Sequence, residues 1–214
     1  MSGTLAVIAK APIAGRSKTR LCPPCTPTQA ARIAEAALRD TLAVVRATPC
    51  ARRVLVLDGD PGAWLPPGFA LIAQRGDGLA ARLAAAFDDL GERAFLVGMD
   101  TPQLTPALLR AGLDALDAHD VSFGEAGDGG YWGIGLRTPC ADVFSGIPMS
   151  QEHTAAAQRA RLADLRLSVA SLPVLRDVDH FDDALAVAAR VPGSRFAGAV
   201  GDVAAGLDVR EDAA

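Results

Sequence analysis

Short apolar runs rich in β-branched residues alternate along the chain with longer stretches whose apolar positions recur at helical spacing. Residues 4–9 (Thr-Leu-Ala-Val-Ile-Ala) read as a buried strand, and residues 53–58, 69–73 and 94–98 repeat the pattern. Residues 120–124, 131–136 and 167–174 read as further strands. Thr26-Pro-Thr-Gln29 has the form of a capping box with proline at the first helical position, and a helix over 30–47 follows it. More helices are expected over 78–90, from Thr105-Pro106 to about 118, over 150–165 with Ser150 as its cap, and over 182–191. Strands alternating with helices predict one α/β domain over residues 1–192, a mainly parallel sheet flanked by helices. The Ala/Gly-rich residues 193–214 are expected to fray as a C-terminal tail.

Composition narrows the class. With 214 residues, half of them hydrophobic, the chain can bury a sizeable core. No apolar run reaches membrane-spanning length and Met-Ser-Gly-Thr lacks the charged flank of a signal peptide, so a cytoplasmic protein with no membrane partner is expected. A net charge of −4 argues against a nucleic-acid surface, which needs a broad basic face. Cys22-Pro-Pro-Cys25 could be a thiol pair, but Cys50 and Cys140 do not complete a metal site, and incidental cysteines are the expectation.

Against that acidic background one loop is cationic. Lys10, Arg16, Lys18 and Arg20 follow the first strand, and no acidic residue precedes Glu35. Of 21 cations 19 are arginine, and both lysines fall here, where a compact point charge suits a phosphate. Gly15 permits close backbone approach, so the loop reads as a phosphate cradle, with Lys10, Gly15, Arg16, Lys18, Thr19 and Arg20 as candidate contacts. Gln74 and Gly76, after the third strand, are candidates for a base or sugar.

Carboxylates follow other strands, at the edge where α/β sheets bind ligands. Asp100, in a turn stiffened by Pro102, together with Asp177 or Asp179, is suited to hold a divalent ion that also ligates phosphate. Asp182 and Asp183 are placed in the first turn of the next helix, offsetting its dipole. Asp128, in the glycine-rich run 124–131, is the candidate to orient or deprotonate an acceptor hydroxyl. His119, His153 and His180 have no pattern that marks a catalyst.

Four pieces, A-K-A-P-x-x-G-R-x-K-T-R-L at 9–21, G-x-D-x-P-x-L at 98–104, D-G-G-Y at 128–131 and D-V-D-x-x-x-D at 177–183, resemble bacterial GT-A-type transferases called selenodomain-associated or arsenosugar-biosynthesis glycosyltransferases. Part of the pattern is also similar to phospholactate guanylyltransferase and, more distantly, to molybdenum cofactor guanylyltransferase. The resemblance implies a nucleotide-diphospho-sugar transferase-like fold, a basic loop on nucleotide phosphates, and Mg²⁺ or Mn²⁺ held by Asp100 and Asp179. It is broken at Glu125, Met149 and His180, on the side expected to meet the acceptor. The leading expectation is metal-dependent glycosyl transfer from a nucleotide-sugar to a small acceptor, with Lys18 stabilising the leaving diphosphate. The alternative is nucleotidyl transfer from an NTP to a small phosphate or phosphonate, with pyrophosphate released.

Overall fold

The computed structural model describes residues 3–211. Seven strands form one sheet in the order β3-β2-β1-β4-β6-β5-β7. They are β1 (Thr4–Lys10), β2 (Arg52–Asp58), β3 (Ala70–Ala73), β4 (Ala94–Gly98), β5 (Val121–Glu125), β6 (Tyr131–Leu136) and β7 (Val169–Ser171). Only β6 runs against the others, pairing antiparallel with β4 and β5. The mainly parallel α/β sheet is therefore present as expected.

Period-two alternation divides the core between two faces. Leu5, Val7, Leu55, Phe95 and Val97 point to one, where α1 (Pro27–Ala47) and α3 (Pro106–Asp114) cover them. Ala6, Val54, Val56 and Leu96 point to the other, beneath α2 (Gly78–Leu90) and α4 (Thr154–Asp164). The start of α1 is the expected capping box: Thr26 Oγ1 accepts from Gln29 N at 3.3 Å and Gln29 Oε1 from Thr26 N at 2.8 Å.

The chain leaves β1 toward β2 on one side, then returns from β3 to β4 on the other side of β1. This divergence opens a crevice at the carboxyl ends of β1 and β4.

The C-terminal region corrects the sequence reading. Residues 195–211 form α6 (Arg195–Glu211), whose Phe196, Val200 and Val203 are buried against Ile33 and Ala37 of α1 and Ala184 and Val187 of α5 (Phe181–Ala188). Their i, i+4, i+7 spacing is an apolar helical face that the surrounding Ala and Gly obscure in the sequence. Asp40 of α1 also receives the Phe196 N–H at 2.9 Å and pairs with Arg195 at 3.1 Å, fixing the start of α6. Phe196→Ala is expected to lower stability by about 3–5 kcal/mol in urea unfolding, whereas a frayed tail would leave it unchanged.

Candidate functional site

The loop after β1 is held by its one buried hydroxyl. Ser17 Oγ donates to Ala11 O and accepts from Ile13 N, both at 3.1 Å, and Gly15 between them takes φ +77°. Lys18 then enters the left-handed region at φ +50°, unusual for a side chain with a Cβ, and a 3-10 turn over Thr19–Leu21 ends the loop. Leu21 is fully buried in the cluster that holds Val178 and Phe181. That contact brings residues encoded near the start of the chain beside residues encoded near its end.

The same packing aims the carboxylates. Val178 is buried, so its neighbours Asp177 and Asp179 point the other way, out of the core. Beyond the β5–β7 pairing the two chains stay joined: Leu175 N donates to Glu125 O at 3.1 Å and Gly127 N to Leu175 O at 2.9 Å. Asp128 and Asp177 therefore leave this ladder side by side. The ligand atoms of Asp128, Asp177 and Asp179 lie within 4.8 Å of one another.

Cations and carboxylates meet here. Lys18 Nζ lies 2.9 Å from Asp100 Oδ2 and also donates to Val178 O, while Arg20 Nη1 lies 2.7 Å from Asp179 Oδ2. Arg20 is 59% exposed and Asp179 32%, so that pair contributes at most about 1 kcal/mol to stability. Lys18 is 11% exposed. Burial opposes its charge most strongly, but Asp100, Asp177 and Asp179 together outweigh it and raise its pKa, so it remains an ammonium ion. Burial pushes Asp177 up to about 6, against the pull of Lys18 and with the help of Asp100 and Asp179. Like charges left this close suit a divalent cation, and an all-oxygen donor set fits Mg²⁺ or Mn²⁺ rather than a softer metal.

One cleft of about 1230 Å³ gathers these groups, lined by Lys10, Arg16, Lys18, Thr19, Arg20, Asp100, Asp128, Asp177 and Asp179 among others. Four sequence candidates sit differently from expectation. Asp100 faces Lys18 in the cleft, and the third member of the oxygen cluster is Asp128. Gln74 lines the cleft, but its Nε2 donates to Ala9 O at 2.7 Å and Val56 O at 3.1 Å, tying the ends of β1 and β2 together. Gly15 and Gly76 lie outside the cleft wall, the Gly76 carbonyl taking Arg82 Nε at 3.3 Å. Asp182 and Asp183 do open α5, Asp183 accepting from His180 N at 3.0 Å. Cys25 is buried and its thiol is pushed up to about 11 by burial, then by Cys22, opposite to what a reactive thiolate needs.

Residues 149–152 are a wall of the cleft that the sequence reading placed largely in a helix. Thr154, not Ser150, organises the start of α4: its Oγ1 accepts from Gln151 N at 3.0 Å and donates to Pro148 O at 2.7 Å. Ser150 stays outside the helix at φ +60°. This wall rests on Gly129, where a Cβ would fall 1.7 Å from Glu152 O and where φ is +88°. Gly129→Ala is expected to cost about 2–4 kcal/mol and displace residues 150–152, measured by thermal melting and a crystal structure. Unchanged melting would show that the two loops are not packed this way.

Residues 41–151 match the family described as "Uncharacterized protein conserved in bacteria (DUF2064)", just over half of the chain. The chain belongs to DUF2064. No curated protein matches this DUF2064 member in sequence. Among solved structures it is similar to the "putative nucleotide-diphospho-sugar transferase" of Desulfovibrio desulfuricans G20, at 29% identity and TM-score 0.85 over 96% of both chains. It shares its fold with Rv0371c of Mycobacterium tuberculosis H37Rv in complex with manganese, at 23% identity and TM-score 0.55 over 87% of this chain and 97% of that one. CMP:2-keto-3-deoxy-manno-octonic acid synthetase complexed with CTP also shares it, at 12% identity and TM-score 0.52 over 84% and 94%. The DUF2064 chain thus has the nucleotide-diphospho-sugar transferase fold. No helix among the described residues is long and apolar enough to cross a membrane.

Proposed function

We propose that the protein is a divalent-metal-dependent transferase that binds a nucleotide-sugar and passes its glycosyl group to a small acceptor. The observation that carries this reading is the meeting of Lys18 with Asp100 and of Arg20 with Asp179 across a single cleft. Both set positive charge beside an oxygen-donor cluster, as a metal-bound diphosphate requires.

Mg²⁺ or Mn²⁺, held by Asp177 and Asp179 with Asp128 or Asp100, would supply charge neutralisation for the diphosphate. Lys18 donates to the phosphate oxygens, and its charge is secured by the surrounding carboxylates. Arg16 and Lys10 extend the cradle along the loop. Asp128 Oδ1 is occupied by Gly130 N at 2.9 Å, which leaves Oδ2 to accept a proton or hydrogen bond from an acceptor hydroxyl. The likeness to the Desulfovibrio protein supports a nucleotide-sugar donor.

A second reading is nucleotidyl transfer. Lys10 and Arg16 line the cleft and form no ion pair among the described residues, which leaves charge for a third phosphate, and the CTP-bound structure shares the fold. Incubation with Mg²⁺ and a panel of NDP-sugars and NTPs separates the two. Release of nucleoside diphosphate from an NDP-sugar supports glycosyl transfer; release of pyrophosphate from an NTP, with NDP-sugars inert, replaces it with the second reading.

A further inference from the structure

We propose that Asp183 is a positioning residue of the metal site, a clamp that holds Asp177 and Asp179 ready for the metal by gripping the chain on both sides of them. The inference rests on the metal-dependent reading above and adds to it a residue that acts through others.

Asp177, Val178 and Asp179 lie on backbone that belongs to no helix or strand. Two carboxylates on such a segment repel each other, and a loose coil would let them part. Burial of Val178 anchors the middle of the segment, and Lys18 donates to its carbonyl. The two ends are held by one side chain. Asp183 Oδ1 accepts from Arg176 Nε at 3.1 Å and Arg176 Nη2 at 2.9 Å, while Asp183 Oδ2 accepts from His180 N at 3.0 Å. Arg176 precedes Asp177 and His180 follows Asp179, so the carboxylate closes a ring around the three residues between them. Burial opposes the charge of Asp183, but the His180 amide, Arg176 and the Asp179 amide outweigh it and hold its pKa below the ordinary carboxylate value. Gln103 meets the same segment from another side: its Nε2 donates to Arg176 O at 2.5 Å, tying the turn after Asp100 to the residue before Asp177.

Offsetting the dipole of α5 does not account for this geometry. Asp182 stands in the same first turn, but it is exposed and forms no ion pair among the described residues. Asp183 lines the cleft with both of its oxygens taken, and so a carboxylate four residues beyond Asp179 stays out of the cluster of Asp128, Asp177 and Asp179. Ligand atoms already held together bind a cation more tightly, because their ordering and mutual repulsion are overcome during folding rather than during binding.

The clamp is tested by Mn²⁺ affinity, measured by calorimetry well below the melting temperature of each variant. If the parent protein does not bind Mn²⁺, the metal-dependent reading fails and the clamp falls with it. Given parental binding, Arg176→Met is the decisive variant, because charge and geometry predict opposite signs. Removing a cation near the site and freeing the Asp183 carboxylate would tighten Mn²⁺ binding if charge alone mattered. Loss of the clamp is expected to weaken it by about fivefold or more. Asp183→Asn is expected to weaken it by a similar factor, and the double variant to lose little beyond either single one. Asp182→Asn removes the same charge from the same helix end and is expected to stay within about twofold of the parent, because an exposed charge is screened. Parental or tighter Mn²⁺ binding by Arg176→Met overturns the proposal, as does an equal loss in Asp182→Asn and Asp183→Asn. An Asp183→Asn protein that melts lower but keeps parental Mn²⁺ affinity also overturns it and leaves Asp183 as a helix cap.

Discussion

Lys18→Met is expected to lower transfer by about 10²–10³-fold in a variant that still folds. The side chain is nearly isosteric, and what is lost is a buried charge that the surrounding carboxylates hold in place. Burial alone would drive the lysine toward neutrality, and three carboxylates keep it protonated. Its removal leaves Asp100 and Asp177 without their nearest compensating cation, so nucleotide affinity should fall together with turnover. Turnover and affinity at parental levels in steady-state kinetics and calorimetry would remove Lys18 from the site.

Asp177→Asn separates stability from function in the opposite sense. Its carboxyl titrates at about 6 in the folded protein, raised by burial above its ordinary value. A raised carboxylate pKa means that the folded state retains its proton where the unfolded chain has released it, so this group makes the parent less stable as pH climbs from about 4 to 6. Metal-free Asp177→Asn is therefore expected to melt higher than the parent above pH 6, with the difference closing below pH 4. Mn²⁺ affinity should fall at least about tenfold, and turnover with it, because an amide is a poor ligand for a hard cation. A variant that melts lower at pH 7 and binds Mn²⁺ normally would place Asp177 in a structural role. The stability lost by keeping this carboxylate ionised is what a binding site shows and an optimised surface does not.

Much of this arrangement is legible from the residues. The β-branched runs, the capping box at Thr26 and the clustering of both lysines in the first loop lead directly to the sheet and to one wall of the cleft. Carboxylates after the strands could be assigned to the correct edge because parallel α/β sheets bind ligands there. Which carboxylates cluster could not be assigned, since that depends on how far the β5–β7 ladder continues: one extra bridge, Ala126 to Leu175, carries Asp128 to Asp177. Gln74 resembled a ligand contact because a polar residue after a strand has two uses, and here backbone carbonyls of neighbouring strands claim it. The start of α4 was misplaced because Ser150 and Thr154 are both good caps, and only the carbonyl of Pro148 decides between them. Helix α6 was hidden by composition: Gly198, Gly201 and Gly206 argue for flexibility locally, while Phe196, Val200 and Val203 argue for burial only once α1 and α5 are in place.

The central claim is that the cations after β1 and the carboxylates after β5 and β7 hold one metal-bound polyphosphate. It is tested most directly by crystals grown with Mn²⁺ and a nucleoside diphosphate, using anomalous scattering to locate the metal. A manganese peak bounded by Asp177 and Asp179, with the phosphates between it and Lys18, is the expected result. Manganese elsewhere, or phosphates bound away from Lys18 and Arg20, would contradict the account.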